Sequence, residues 1–359
     1  MKIKLLVSIS LLTAGGLFAQ NATPTPPPAG ADTVKTNIAS TPEQKAQLSY
    51  NKGIEDFTKG DFKAAVTDFD TAIAIKPTFE EAFLNRGNTK LKLKDYNNAI
   101  ADYTKATELK PTDDKAFYGI GQCQSALGAS DKASDAYTKA IAANPKNADA
   151  YYYRGEIRFL AKNYADAKED FTQAIASKPN YAEAYNDRGS CKMELKDYKG
   201  AIDDYQASIK ANKLATTFDN LGSAQRKAGQ LDAAIDSYSQ AVAIKPDFAI
   251  AYNNRGTAKF DKADYSGAIY DFGKAIDANA SYAYAYNNRA SAEFKMKDYD
   301  KAIADCNKAI QLDPNYGYAY LNRGITEEMM RKQDDACSDW KKAASLGVPV
   351  AKDYSQDCQ

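Results

Sequence analysis

Small, aromatic and proline residues recur along this chain at intervals of 34 residues from Ala46 onward. Counted from Ala46, position 8 is glycine in every repeat except one, where Ala290 replaces it, and position 20 is always alanine. Position 24 is aromatic except at Cys306, and most repeats have proline at position 32. Small residues let two helices approach closely, aromatic rings fill the space around the contact, and proline ends a helix. The pattern therefore predicts packed pairs of helices.

The repeats follow one another from residue 46 to residue 350, and Thr41, Pro42 and Gln44 precede them. Thr41 is suited to be an N-cap, Pro42 to the first helical position, and Gln44 to closing a capping box. Repeat 5 is one residue short and lacks the proline, which predicts an irregular junction after it. Repeats 1 to 9 are 46–79, 80–113, 114–147, 148–181, 182–214, 215–248, 249–282, 283–316 and 317–350.

This phase of small, aromatic and proline positions resembles the tetratricopeptide repeat, a helix–turn–helix unit of 34 residues. The resemblance implies an all-α fold, a right-handed superhelical solenoid of nine repeats at 41–350 with a short C-terminal capping helix at 351–359. Neighbouring repeats would share one continuous core, and their first helices would line the concave face. The repeats and the closing segment ACSDWKKAASLG are also similar to exported cell-envelope proteins of this family from Bacteroidetes.

The first 40 residues lack this periodicity. Lys2 and Lys4 precede an apolar stretch that ends near Ala19, and this order is typical of a secretory signal peptide at 1–19. An uncleaved anchor helix is the alternative. Residues 20–40 are rich in proline, threonine and alanine, and we expect a disordered linker there. We therefore expect the mature chain to be exported, to lack an integral membrane segment, and to be periplasmic, outer-surface or secreted.

Arginine stands at position 7 of six repeats, where this family usually has leucine. Every repeat with this arginine has aspartate at position 23, and repeats 3 and 6 lack both residues. The covariation favours an ion pair between the two helices of a repeat over a cationic binding stripe, because a half-buried arginine needs a partner. The predicted pairs are Arg86 with Asp102, Arg154 with Asp170, Arg188 with Asp204, Arg255 with Asp271, Arg289 with Asp305, and Arg323 with Asp339.

Asparagine recurs at position 6, on the face that the family uses for binding. Position 5 adds Asn253 and Asn287, and position 2 adds Tyr284 and Tyr318. The row resembles the asparagine ladder in the repeats of O-GlcNAc transferase, and an amide can satisfy a peptide backbone group without reading its side chain. We hypothesise that this row binds a partner; the alternative is that the asparagines only bridge neighbouring helices. Its position-6 members are Asn51, Asn85, Asn220, Asn254, Asn288 and Asn322.

The same face is acidic in the middle of the array, which would favour basic groups of a ligand. The carboxylate-clamp pattern of heat-shock co-chaperones requires lysine at position 5, and no repeat has it, so that ligand class is excluded. The acidic residues are Asp149, Glu156, Glu183, Asp187 and Glu194.

The five cysteines fall into two groups. Cys123, Cys191 and Cys306 occupy repeat positions that suit small buried side chains. Cys337 and Cys358 could form a disulfide that pins the capping helix, since export would place them in an oxidising compartment; two free thiols are the alternative. No cysteine or histidine spacing indicates a metal site, and we expect no metal.

Composition and motifs narrow the function. Lysine plus arginine equals 47, as does aspartate plus glutamate, so the chain lacks the basic surface of a nucleic-acid binder. Histidine is absent, and no nucleotide-binding or nucleophile motif occurs, so we expect no enzyme activity and no cofactor. The preferred interpretation is a non-catalytic protein–protein interaction scaffold of the cell envelope that binds an extended peptide or protein segment. The alternatives are a structural subunit of an outer-membrane or secretion-associated assembly and, less favoured, a carbohydrate-binding protein.

Overall fold

The computed structural model of the protein describes residues 41–356 and 358, and in this part of the chain every regular element is a helix. The all-α prediction is confirmed. Thr41 and Gln44 form the predicted capping box, in which the Gln44 backbone N–H donates to Thr41 Oγ1 and the Thr41 N–H donates to Gln44 Oε1. The predicted signal peptide and linker, at 1–19 and 20–40, lie outside the described residues.

Each repeat contributes a first helix and a second helix, and both are short, as two halves of a 34-residue unit must be. The chain divides into two compact units, residues 41–191 and 192–358, which we call the N-terminal and C-terminal units. The helices are α1 Pro42–Lys59, α2 Phe62–Ile75, α3 Glu80–Lys92, α4 Tyr96–Leu109, α5 Asp114–Ala126, α6 Ser130–Ala143, α7 Ala148–Leu160, α8 Tyr164–Ser177, α9 Ala182–Glu194, α10 Tyr198–Ala211, α11 Ala215–Lys227, α12 Leu231–Ile244, α13 Ala249–Asp261, α14 Tyr265–Ala278, α15 Ala283–Lys295, α16 Tyr299–Leu312, α17 Gly317–Met329, α18 Gln333–Ser345 and α19 Ala351–Ser355.

The contact between the two helices of a repeat explains why positions 8 and 24 vary together. A Cβ atom added at Gly256 would lie 2.8 Å from the ring of Phe272, so a ring at position 24 requires glycine at position 8. In repeat 8 the smaller Cys306 replaces the ring, and Ala290 fits in the position of the glycine. Both residues are buried, so the close packing is kept with a different pair of side chains.

The junction after repeat 5 is shorter than its neighbours, as predicted. Only residues 212–214 separate α10 from α11, whereas residues 245–248 separate α12 from α13. Without proline, the chain enters α11 through Leu214 in an extended conformation with φ −106°. None of the helices in residues 41–356 is long and apolar enough to cross a membrane.

The C-terminal end of the array is covered by α19, which is shorter than the predicted cap at 351–359. Tyr354 packs on Trp340, with ring centroids 5.1 Å apart, and Ala351 is buried. In the structure Cys337 and Cys358 are joined by a disulfide, which ties α18 to the residues after α19. Cys123, Cys191 and Cys306 are buried, as expected for small apolar side chains.

Candidate partner-binding face

The first helices of the C-terminal unit lie side by side and form a continuous face. Helix α13 contacts both α11 and α15, and α15 also contacts α17. Positions 5 and 6 of these helices lie where one first helix meets the next. Polar side chains at these positions are therefore placed to connect neighbouring repeats.

Hydrogen bonds between positions 5 and 6 join successive repeats, and we call each one a stitch. In repeats 7 to 9 the asparagine at position 6 donates through Nδ2 to the position-5 side chain of the preceding repeat. The stitches are Asn254 to Asp219 Oδ1 at 3.0 Å, Asn288 to Asn253 Oδ1 at 2.9 Å, and Asn322 to Asn287 Oδ1 at 2.8 Å.

Each of these stitches uses the Nδ2 group of the position-6 asparagine and leaves its Oδ1 atom without a hydrogen bond from the part of the chain that the structure describes. Within the described residues, no donor reaches the Oδ1 atoms of Asn254, Asn288 or Asn322. These oxygens are also not among the fully buried side-chain atoms that lack a partner, although Asn254 and Asn288 are only 9% and 8% exposed, so solvent reaches them through a narrow opening. The direction of the first amide follows from its hydrogen bonds, because Asn254 Nδ2 donates to both oxygens of Asp219. Three acceptors thus lie along one face of α13, α15 and α17.

The remaining predicted ladder residues have other surroundings. Asn85 is buried and donates to the Tyr50 hydroxyl at 2.8 Å, which is a stitch in the N-terminal unit. Asn51 is exposed and accepts from Gln47 on its own helix. Asn220 is buried in α11. The structure therefore brings the C-terminal asparagines together, while Asn51 and Asn85 belong to the N-terminal unit.

The two tyrosines predicted to flank the ladder differ in exposure. Tyr284 is 41% exposed and packs against Tyr316, with ring centroids 4.7 Å apart. Tyr316 in turn accepts a hydrogen bond from Asn287 Nδ2 at 3.2 Å, so the ring of Tyr284 is connected to the ladder. Tyr318 is half-buried against the core that closes the C-terminal end. Of the two, Tyr284 offers the larger apolar surface to a ligand.

The position-7 arginines face the second helices and take no part in the ladder. Arg255 donates through Nε and Nη2 to the two oxygens of Asp271, at 2.9 and 2.6 Å. Its Nη1 donates to Ser239 of the preceding repeat, and its guanidinium lies over the ring of Tyr252. The same two-pronged contact joins Arg86 to Asp102, Arg154 to Asp170, Arg289 to Asp305, and Arg323 to Asp339.

Arg188 and Asp204 belong to different units, and their pairing stays a prediction. Arg188 Nη1 donates to Thr172 of the preceding repeat at 3.3 Å. Asp204 contacts Lys192 at 2.8 Å. Each residue thus shows, inside its own unit, the secondary contacts that the other pairs make.

Sequence reasoning missed position 11. In four repeats a cation at this position reaches the aspartate at position 23: Lys90, Arg158, Lys192 and Lys259, at 2.7 to 2.8 Å. In repeats 8 and 9 the position holds Glu293 and Glu327 instead. Comparing position 11 with positions 7 and 23 across the repeats would have identified these residues.

The acidic residues of the middle repeats form a network with tyrosines in the N-terminal unit. The Tyr152 hydroxyl lies 2.8 Å from Asp187 Oδ2 and 3.3 Å from Glu156 Oε1. Burial raises the pKa of Glu156 to about 7 and also raises the pKa of Asp187. Glu183 and Glu194 are more exposed. No group of three or more acidic or cysteine side chains in the described residues could hold a metal ion.

Family models agree with this architecture. Tetratricopeptide repeat models match residues 80–113, 118–167, 161–215 and 283–316, and a further TPR repeat model matches 222–262. The matched residues make up more than half of the chain, which therefore belongs to the tetratricopeptide repeat family. Proteins of this family are generally protein-interaction scaffolds. No curated protein matches the chain.

Several solved structures are similar to the chain. The APC/C hetero-tetramer Cut9–Hcn1 shares 15% identity over 90% of this chain and 78% of that chain, with a TM-score of 0.52. MamA shares 31% identity over 46% of this chain and 96% of its own, with a TM-score of 0.41. YrrB, described as a TPR protein with an unusual peptide-binding site, shares 22% identity over 52% and 96%, with a TM-score of 0.45. Cut9–Hcn1 supports the fold alone.

Proposed function

We propose that the protein is a non-catalytic interaction scaffold of the cell envelope, and that the face of α13, α15 and α17 binds an extended segment of a protein partner. The observation that carries this proposal is the row of three open amide oxygens at Asn254, Asn288 and Asn322. Cell-envelope placement rests on the signal-peptide pattern at 1–19 and on the resemblance to exported Bacteroidetes proteins of the family.

An open amide oxygen can accept a hydrogen bond from a backbone N–H of any residue except proline. Successive acceptors on successive repeats suit an extended segment, because such a segment presents backbone groups at regular intervals. The exposed ring of Tyr284 adds an apolar contact beside the row. The face therefore recognises backbone along its length and has a preference for an apolar side chain at one place.

A double substitution, Asn254→Ala with Asn288→Ala, tests this proposal. Each change removes an acceptor and also a stitch, so a matched control must lose a stitch without an acceptor in the row. Asn85→Ala in the N-terminal unit is that control, because Asn85 stitches to Tyr50. The readout is capture of partners from envelope fractions, followed by titration of the captured segment, with helicity checked by circular dichroism.

The double variant should weaken binding by about 1 kcal/mol for each lost hydrogen bond, roughly fivefold each. Asn85→Ala should bind as the unchanged protein does. Equal binding by all three proteins would show that the partner surface lies elsewhere. Recovery of a large assembly that contains further copies of this chain would favour a structural subunit instead.

A further inference from the structure

Repeats 8 and 9 have a buried carboxyl group where repeat 7 has a half-buried lysine. In repeat 7, Lys259 Nζ lies 2.8 Å from Asp271 Oδ2, so the aspartate accepts from two cationic side chains. Glu293 holds the corresponding position in repeat 8 and is only 6% exposed. Glu327 does so in repeat 9 and is 9% exposed. The change from lysine to glutamate places two acids where repeats 2, 4, 5 and 7 pair an acid with a base.

Both glutamates have an oxygen without a hydrogen-bond partner. Glu293 Oε2 and Glu327 Oε2 are buried and accept from no donor within the described residues. An ionised buried carboxylate in that state is strongly disfavoured, because desolvation is not compensated. A proton on the glutamate removes the charge and, at Glu327, supplies a donor for Asp339.

The charged groups around Glu293 do not neutralise it. Arg289, on its own helix, is held by both oxygens of Asp305. From α16 and the turn before it, Asp298, Lys301 and Asp305 also act on Glu293, and Asp305 is the strongest charged influence. Lys301 contacts Asp298 at the surface. Arg289 and Lys301 are thus already paired with aspartates, and neither cation is left to neutralise Glu293.

Glu327 has a similar environment in repeat 9. Arg323, on its own helix, is held by both oxygens of Asp339. The other charged groups that act on Glu327 are Asp335 and Asp339 of α18. The site therefore contains three acids and a single base that is already bound.

Other buried orphan oxygens support the same chemistry. All the carboxyl oxygens that are buried without a partner in the described residues belong to acids that have a second carboxyl group beside them. The pairs are Asp68 with Asp56, Glu80 with Asp113, Glu293 with Asp305, and Glu327 with Asp339. Three of the pairs are also hydrogen-bonded, and a proton on one carboxyl group lets it donate to the other; Asp305 acts on Glu293 through its charge.

We propose that Glu293 and Glu327 are protonated in the folded protein at the lower end of the neutral range, each beside an aspartate that disfavours its ionisation, and that their ionisation loosens repeats 8 and 9 as pH rises. Burial, with a contribution from Asp305, raises the pKa of Glu293 to about 7. Burial and Asp339 likewise raise the pKa of Glu327. The folded state then binds more protons than the unfolded state between pH 4.5 and 7, so stability from these groups is present below pH 4.5 and is lost as pH rises through 7.

The test compares the full chain with the Glu293→Gln, Glu327→Gln double variant, because glutamine has the shape and neutrality of a protonated glutamate. The control is Glu81→Gln with Glu169→Gln, which removes two exposed charges. Melting temperatures are measured at pH 5.5 and pH 8.5. Relative to the double variant, the unchanged protein and the control should lose about 3 °C or more over this interval. An identical pH dependence in all three proteins would overturn the proposal.

Carboxyl NMR gives a readout that does not depend on stability. In protein labelled with ¹³C at glutamate carboxyl groups, two resonances should titrate with a midpoint near pH 7 and should be absent from the double variant. If every resonance that the double variant loses titrates near pH 4.5, the glutamates are ordinary acids and the proposal is wrong.

Discussion

Repeats 7 and 8 have the same helix lengths and the same arginine–aspartate pair, yet their interiors differ at three places. Repeat 7 has a ring at position 24, a lysine at position 11, and a hydroxyl partner from the preceding repeat for its arginine. Repeat 8 has Cys306 and Glu293 at those positions, and Gly273 stands where the hydroxyl partner would be. The comparison shows that the backbone of a repeat tolerates a change from lysine to glutamate beside an unchanged aspartate, whereas the ring and the glycine change together.

The largest effect should come from removing the aspartate that holds two cations. Asp271→Leu leaves Arg255 and Lys259 without a counter-charge in a half-buried place, and should cost about 3–5 kcal/mol of unfolding free energy. Asp305→Leu should cost clearly less, because it removes the counter-charge of only one cation, Arg289. Glu293 can then pair with this arginine. Thermal and urea unfolding of both variants measures the difference; equal losses would contradict the two-cation account.

A ring placed in repeat 8 should have a smaller effect. Cys306→Phe places a ring like that of repeat 7 against the methyl group of Ala290, and overpacking should cost about 1–3 kcal/mol. Adding Ala290→Gly recreates the pair seen at Gly256 and Phe272 and should recover most of the loss. If the double variant melts no higher than the single variant, positions 8 and 24 are not coupled by this contact.

The smallest effect should come from restoring the missing partner of Arg289. Within the described residues its Nη1 has no hydrogen bond, and a Cβ at Gly273 would lie 3.8 Å away. Gly273→Ala should raise stability by about 0.5–1 kcal/mol, because glycine disfavours the interior of a helix. Gly273→Ser should match or exceed alanine if its hydroxyl accepts from Arg289, since serine alone is the poorer helix former. A serine variant that melts below the alanine variant would show that this hydrogen bond adds nothing.

The repeat pattern determined most of the fold, because each repeat obeys the same rule of small residue against ring. Ala290 and Cys306 could be placed from the phase alone, and the short junction after repeat 5 followed from one missing residue. The stitches could not be placed, since a hydrogen bond from Asn288 to Asn253 depends on the rotation between two helices that no single repeat encodes. Glu293 was missed because an acid at a repeat position reads as a solvated charge until its burial is known.

The stitches make the order of the repeats along the chain important, because each one requires a matching residue in the preceding repeat. Asn85 needs the hydroxyl of Tyr50 in the repeat before it, and Asn288 needs the amide of Asn253. At the one junction where position 5 is apolar, Leu84, the next repeat has Gly119 at position 6 and so brings no donor. A repeat copied to a new place would leave a buried amide unmatched unless its new neighbour offered an acceptor. Although the repeats share one backbone conformation, they are therefore not freely interchangeable. Duplication or shuffling of repeats must keep each stitched pair of neighbours together.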